Sequence, residues 1–462
     1  MILDKTLDNL KNEFMNEKLK SYLLEEELFK LLNDWEQANK IAAEWRLELM
    51  EKKSGKSLSM IKNSYVSTAK LSHKGEKSVG IEQQIGGAVI PLALAGPLKI
   101  NGEYAKGEFY IPIATNEAAL IAGLQRGIKA VNESGGMDVV MTRDHMARAP
   151  LIECINISQA KQVCEEIRNK KDLYNHMKTA AEADSKVSKL LDIQPFQQGR
   201  MIHMRFLFQT GDSMGMNSAT KYSANAIKIL IEKYPNIKMI SLTANMCSDK
   251  KASHINILLG RGKSIEVETM ISPETIKKIF RVDIESVAKL NYHKNYRGSA
   301  LAGTISGFNA NVANTIAGIF IATGQDAAQI TESSSCFTSA EVINLPEQSE
   351  ARGTIEHSEK PAINANEQKN KMLHFSASFP CLELATTGGG TDFGTAKECL
   401  EILGCHGPGK TPGDNVRKLA EIIAAAAACQ DLNLLCAESN TYELADSHIR
   451  LARGEKLCSS KK

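Results

Sequence analysis

Four titratable sites stand in otherwise quiet sequence. Glu117 follows the apolar run FYIPIAT, and Lys250 and Lys251 come directly after Cys247-Ser248-Asp249. Asp326 ends a stretch without charge, and His448 lies near the carboxyl end in ADSHIRLAR. Carboxyl, ammonium and imidazole are the groups that move protons or stabilise a developing charge. Three of the positions also have a plain structural reading: an acid opening a helix is a dipole partner, an Asp after a buried helix is a cap, and a Lys pair is a solvated surface. Singly the plain reading is the commoner one; the four together are more specific.

Three small-residue clusters could meet phosphate. Gly211-Asp-Ser-Met-Gly-Met-Asn217 joins a strand to a helix beginning near Ser218, so its amides lie where a diphosphate could sit. A tight strand-to-helix turn needs the same residue types. Thr386-Thr-Gly-Gly-Gly-Thr391 is a second turn. The third, Gly404 to Thr411, matches the phosphate-loop pattern GxxxxGK[ST], which would make the chain an NTPase using Lys410. That loop needs a strand before it and a helix starting at its Lys-Thr. Here the run from Thr395 to Leu403 reads as helix, Pro408 removes an amide, and Pro412-Gly413 follow at once, so a turn between helices is expected. No GxGxxG occurs, and any dinucleotide binds without the usual Rossmann turn.

The chain has 462 residues, 43% of them apolar, enough for a sizeable core and for more than one domain. Lys and Arg number 56 against 54 Asp and Glu, a net charge of +2 that gives nucleic acid no general attraction. The ten cysteines lack CxxC spacing, which excludes a zinc ribbon and suits reduced thiols in the cytoplasm; no metal site is expected. The opening MILDKTLDNLKNEF interleaves acids and bases, unlike a signal peptide. Gly298 to Gln325 carries no charge but includes Asn309, Asn311 and Asn314, so it reads as a helix buried in protein and not in a membrane.

Leu19, Leu23, Leu24, Leu28, Leu31 and Leu32, then Trp35, Ile41 and Trp45, repeat with helical period. They predict an amino-terminal helical region over 1–65 that docks on the body or on a sister subunit, with Lys52 to Ser57 as a polar linker. Residues 149–245 read as strand, helix (158–183), strand, strand, helix (218–233), strand, the βαββαβ order of a ferredoxin-like split unit. The expected fold is α/β (α+β): a large, mostly helical domain from 66–148 and 246–462, with 149–245 inserted as a cofactor-binding lobe. Residues 345–370 read as a polar surface loop, and 418–429 as an Ala-rich buried helix.

From about Glu82 to Arg453 the chain resembles the hydroxymethylglutaryl-coenzyme A reductase family. The matching segments are EQQIGGAVIPLALAGPL, IPIATNEAALIAGLQRGIKAV, ARAPLI, GDSMGMN, CSDKKASHIN with GRGKS, GSALAGTISGFNANVANTIAGIFIATGQDAAQ, ATTGGGT and SHIRLAR, in that order. GDSMGMN is similar to the form in the class I enzymes of eukaryotes and archaea, whose reductant is usually NADPH. The resemblance implies a soluble homodimer, with substrate bound across the subunit interface. The implied reaction is reduction of hydroxymethylglutaryl-CoA to mevalonate and CoA by two NADPH, with NADH as the other candidate reductant.

The same resemblance implies roles for residues. Lys250 would stabilise the oxyanion that each hydride creates, and His448 would protonate the departing CoA thiolate. Glu117 would donate a proton to the aldehyde, with Asp326 tuning Glu117 and Lys250 through a shared network. A helix start favours the charged carboxylate whereas a donor needs the neutral acid, so burial or the charge of Asp326 would have to prevail at Glu117. Glu82, Arg126, Arg148, Asn245, Asp249, Lys251 and Asn314 would hold substrate. Asp212, Met214, Gly215, Met216 and Asn217 would line the nicotinamide cofactor with Thr387, Gly388 and Gly389, and Ser185, Lys186 and Lys189 would contact its 2′-phosphate. The chain departs from the family at Ala118, where a Gly is common, at Gly123, where a Ser usually faces CoA, and at Asn311, where a His is frequent. These changes motivate a rival reading, a relative that reduces or binds a different acyl-CoA.

Overall fold

The computed structural model describes residues 2–68, 70–71, 77–78, 80–345 and 371–440. His448 and the polar segment 346–370 lie outside them. The chain divides into two compact units, Met1–Pro91 with Phe393–Thr395, and Leu92–Asp392 with Ala396–Lys462.

In the first unit the leucine periodicity yields α1 (Ile2–Met15), α2 (Leu24–Leu32) and α3 (Trp35–Ser54). They pack on one another around Phe14, Leu24, Leu28, Ala42 and Trp45, so this region supplies its own core. Asp34 caps α3 by accepting the amides of Glu36 and Gln37. The segment that reads as a linker instead extends α3 to Ser54, where Gly55 at φ +65 ends it. A short α4 (Ser59–Asn63) and a two-stranded ribbon of β1 (Lys70–Leu71) and β2 (Lys77–Ser78) follow.

The second unit is built on an 11-stranded sheet. Its hairpin of β3 (Leu92–Asn101) and β4 (Lys106–Ala114) leads through α5 (Leu120–Glu133) to β5 (Met137–Arg148). β5 pairs with β10 (Gly262–Ile271) along most of its length, and its last three residues pair with β8 (Met201–Gln209). One strand thus joins the two parts of the sheet.

The lobe beyond β5 contains β6 (Leu151–Glu153), α6 (Ile157–Arg168), α7 (Asp172–Glu182), β7 (Lys189–Gln198), β8, α8 (Met216–Lys233) and β9 (Lys238–Ser241). Its strand order is β7-β8-β6-β9 with antiparallel neighbours, that of the split βαββαβ unit. The expected helix 158–183 is two helices, because Lys170 adopts a left-handed φ of +51 between them. Alternation along β8 sends Ile202, Met204, Phe206 and Phe208 into the lobe's own core, while Leu207 faces Ala147, Ala149 and Cys247.

The remaining elements are α9 (His254–Leu259), β10, α10 (Pro273–Phe280), α11 (Ile284–Asn291), a π-helical segment (Tyr292–Gly298), α12 (Ser299–Leu301), β11 (Gly307–Phe308), α13 (Val312–Ala322), α14 (Ile330–Ser333), β12 (Cys336–Asn344), β13 (Lys371–Leu382), α15 (Gly394–Ile402) and α16 (Asp414–Ser439). The charge-free run Gly298–Gln325 is therefore not one helix. Gly303 at φ +73 and the asparagine-rich turn before Val312 break it, and only α13 is buried as expected. Among the described residues α16 alone is long and apolar enough to cross a membrane, yet it is buried inside the protein as the central core helix. Its alanines permit close crossings: a side chain at Gly127 of α5 would lie 1.9 Å from the Cys429 carbonyl oxygen.

Candidate active site

The loop between β9 and α9 carries the lysine pair. Cys247 is buried among Ala147, Ala149 and Leu207, which pins the loop against the ends of β5 and β8. Asn245, Ser248 and Lys250 all have left-handed backbones, at φ +60, +49 and +60, a costly arrangement for residues with side chains. Lys250 Nζ is 2.8 Å from Asp326 Oδ2, and this hydrogen-bonded pair holds the ammonium above its ordinary pKa. The other oxygen of Asp326 accepts the amide of Ala328 at 3.0 Å. Asp326 is both the cap and the charge partner, one oxygen for each.

Glu117 sits elsewhere. The expected helix 117–132 starts at Leu120, because Ala119, not Ala118, takes the left-handed turn at φ +73. Glu117 is exposed in the turn after β4, with its amide bonded to Thr115 Oγ1 and its Oε2 accepting from Asn314 Nδ2 at 2.9 Å. Asn314 lies in the first turn of α13 and Asp326 follows the last, so about 12 Å of helix separates the two pairs. Among the described contacts of this single chain Asp326 pairs with Lys250, and no hydrogen bond joins either to Glu117.

The expected substrate residues are spread over two regions. Arg148 is buried, donating to Thr220 Oγ1 at 2.7 Å and Thr243 Oγ1 at 3.2 Å, with Asp249 Oδ2 at 3.8 Å. Burial opposes the Asp249 charge, but Arg261, Gln329 and Arg148 still hold its carboxyl below the usual range. Lys251 reaches back to the Asp249 carbonyl at 2.9 Å and is exposed, as is Asn245. Arg126 on α5 stacks its guanidinium 5.0 Å over the Phe280 ring. Glu82 occupies an exposed turn of the first unit.

The clusters expected to meet the cofactor converge. A side chain on Gly211 would touch Val187 and Pro412, which brings the Ser185–Lys189 turn and the start of α16 beside the GDSMGMN turn. Ser185 Oγ accepts the Ser188 amide at 2.7 Å; Lys186 and Lys189 are exposed. Gly215 at φ +84 ends the turn, and no side chain caps α8, so its first amides, with Met214 ahead and exposed Asn217 just inside, suit an anionic diphosphate. Thr387 leads into Gly388 and Gly389, both left-handed with nothing among the described residues within 4 Å of where a side chain would begin, an opening for close backbone approach. Two side chains turn inward instead. Met216 Sδ accepts from Arg261, and the Asp212 carboxylate accepts four main-chain amides, from Gly409, Gly413, Asn415 and Val416. Within the phosphate-loop lookalike the amides of Gly404, Cys405, Gly407, Gly409 and Thr411 are bonded inside the protein, and α16 starts at Asp414, past Lys410, as the turn reading requires.

A profile of the hydroxymethylglutaryl-coenzyme A reductase family matches residues 42–453. The chain belongs to this family. It is 40% identical over 415 residues to the 3-hydroxy-3-methylglutaryl-coenzyme A reductase of Pyrococcus abyssi, spanning 90% of this chain and 93% of that one. The Methanocaldococcus jannaschii reductase is 38% identical over 420 residues, at 90% and 94%. Among solved structures, the class II reductase of Streptococcus pneumoniae bound to NADPH in open conformations superposes with a TM-score of 0.57 at 17% identity, covering 85% of this chain and 96% of that one. The likeness at that identity is one of fold.

Sequence reasoning missed the residues beneath the lysine loop. Arg261, Glu332 and Glu383 are buried, with Arg261 donating to both carboxylates; Asn256 donates to Glu332, and Gln329 to Asp249. A signal existed for two of them: Glu383 is a lone acid in the apolar run PCLELA, and Arg261 lies within GRGKS. Glu332, in TESSSC, gave none.

Proposed function

We propose that this reductase converts hydroxymethylglutaryl-CoA to mevalonate and CoA, with Lys250 as the electrostatic centre. The observation that carries the reading is the Lys250–Asp326 pair at 2.8 Å on a conformationally constrained loop in a chain of this family. Bound NADPH supplies the hydride in each of two reductions. In the first, the Lys250 ammonium stabilises the hemithioacetal oxyanion. Its collapse to mevaldehyde breaks the carbon–sulfur bond, and His448 gives its proton to the CoA thiolate. In the second, Lys250 again faces the developing alkoxide, and Glu117, oriented by Asn314, delivers the proton that completes the alcohol.

The GDSMGMN turn, the TTGGGT turn and Ser185, Lys186 and Lys189 would hold the reductant; the two lysines favour NADPH over NADH by their charge. Residues 149–245 act as the cofactor lobe. The separation of Glu117 from Lys250 by the length of α13 supports a homodimer in which each site draws on both chains.

Nicotinamide absorbance assays with hydroxymethylglutaryl-CoA test the reading. Turnover with two reductant equivalents consumed per CoA released is expected; no turnover with either NADPH or NADH, alongside turnover of another acyl-CoA, would replace the substrate. His448→Gln is expected to slow thioester reduction more than reduction of supplied mevaldehyde, and equal slowing would remove His448 from thiolate protonation.

A further inference from the structure

A buried charged cluster lies directly behind the Lys250 loop, and the reaction above gives its Arg261, Glu332 and Glu383 no role. Arg261 is its centre. Nη1 donates to both Glu332 oxygens at 2.9 and 2.8 Å and to Glu383 Oε1, while Nη2 donates to Asp249 Oδ1 at 3.0 Å and Met216 Sδ at 2.7 Å. Glu332 then accepts one more donor, the main-chain N–H of Lys250 itself, in a very short contact. Asn256 ties Glu332 to the same loop, donating to Glu332 Oε2 at 3.0 Å and to the Ser248 carbonyl at 3.3 Å.

A left-handed residue with a side chain persists only where its surroundings over-determine it. At Lys250 the Glu332 carboxylate does this, because it takes the N–H that the unusual backbone directs inward. We propose that Glu332, clamped by Arg261 and Glu383, is the positioning residue that fixes the Lys250 backbone and so aims its ammonium. The inference rests on Lys250 being the oxyanion stabiliser. Burial pushes the Glu383 carboxyl well above the usual range, and its Oε2 has no donor. Held neutral by burial, Glu383 sets no second negative charge against Glu332. Asp249, Glu332 and Glu383 stand close enough to share a metal ion, but the Arg261 guanidinium pairs with all three.

Two conservative variants separate reach from charge. Glu332→Asp keeps the charge for Arg261 but is one methylene too short for the Lys250 amide. Glu332→Gln keeps an acceptor at full reach and loses the charge. Glu332→Asp is expected to lower kcat about tenfold with KM values within about threefold, and Glu332→Gln to stay within about threefold of the parent. In a Lys250→Ala background, itself slowed about a hundredfold or more, Glu332→Asp should cost nothing further, because it acts through the ammonium. A general packing defect would add its loss in both backgrounds. Unchanged turnover in Glu332→Asp, a larger loss in Glu332→Gln, or full additivity with a slow Lys250→Ala would overturn this inference alone. Near-normal turnover of Lys250→Ala would instead remove the Lys250 assignment, and the inference with it.

Discussion

Lys250 owes its properties to one oxygen of Asp326 and to a backbone held from below. The pairing keeps its pKa raised, so the ammonium survives to higher pH than an isolated lysine would. If that cation is what catalysis needs, activity is lost as pH rises through the elevated value. Asp326→Asn removes the partner and lowers the lysine pKa, so the alkaline limb of the kcat/KM profile is expected to move to lower pH. An unmoved limb would mean that another group sets it. The departures from the family can be placed at this scale. Ala118 sits beside, not at, the left-handed position. Gly123 has Asn433 Nδ2 2.6 Å and Gln430 Nε2 3.2 Å from its missing Cβ, so a serine there needs those side chains to move. Asn311 donates its amide to Asp431 at the entrance to α13.

Among the elements, α16 shows how a phosphate-loop motif can be empty of function. Its amino-terminal amides look outward in sequence, yet in the fold they point at Asp212, which works as a cap supplied from another element. Asp212→Ala leaves four amides without their acceptor and is expected to cost about 2 kcal/mol or more in urea unfolding. The same change should weaken reductant binding, because the Asp212 carboxylate ties the GDSMGMN turn to the start of α16. Lys410→Ala should alter neither stability nor turnover, within about 0.5 kcal/mol; loss of activity there would revive the phosphate loop.

For the whole molecule, the decisive feature is that the Glu117–Asn314 and Lys250–Asp326 pairs lie at opposite ends of α13. Mixing Glu117→Gln chains with Lys250→Ala chains, each slow alone, tests where complete sites form. If each site takes Glu117 from one chain and Lys250 from its partner, random re-pairing should restore about a quarter of the parent activity. No recovery would place both residues in one chain's site. The nine described cysteines are buried, and burial pushes Cys154 to about 11 and Cys405 to about 12, so these thiols act as packing.

Much of this molecule was written locally. Leucine spacing before residue 50, strand alternation in β8, the order of elements in 149–245 and the unfitness of Gly404–Thr411 for phosphate all depend on near neighbours, and near neighbours decide periodicity, caps and turns. The lysine, the aspartate and the glycine turns could likewise be picked out by type and context. Pairing could not. That Lys250 meets Asp326, that Glu117 meets Asn314 instead, and that Glu332 reaches under the lysine loop are contacts between segments from 76 to almost 200 positions apart. Only the packing of α13, α14 and β13 against the loop decided them, because burial and hydrogen-bond satisfaction are settled by what the completed fold brings together.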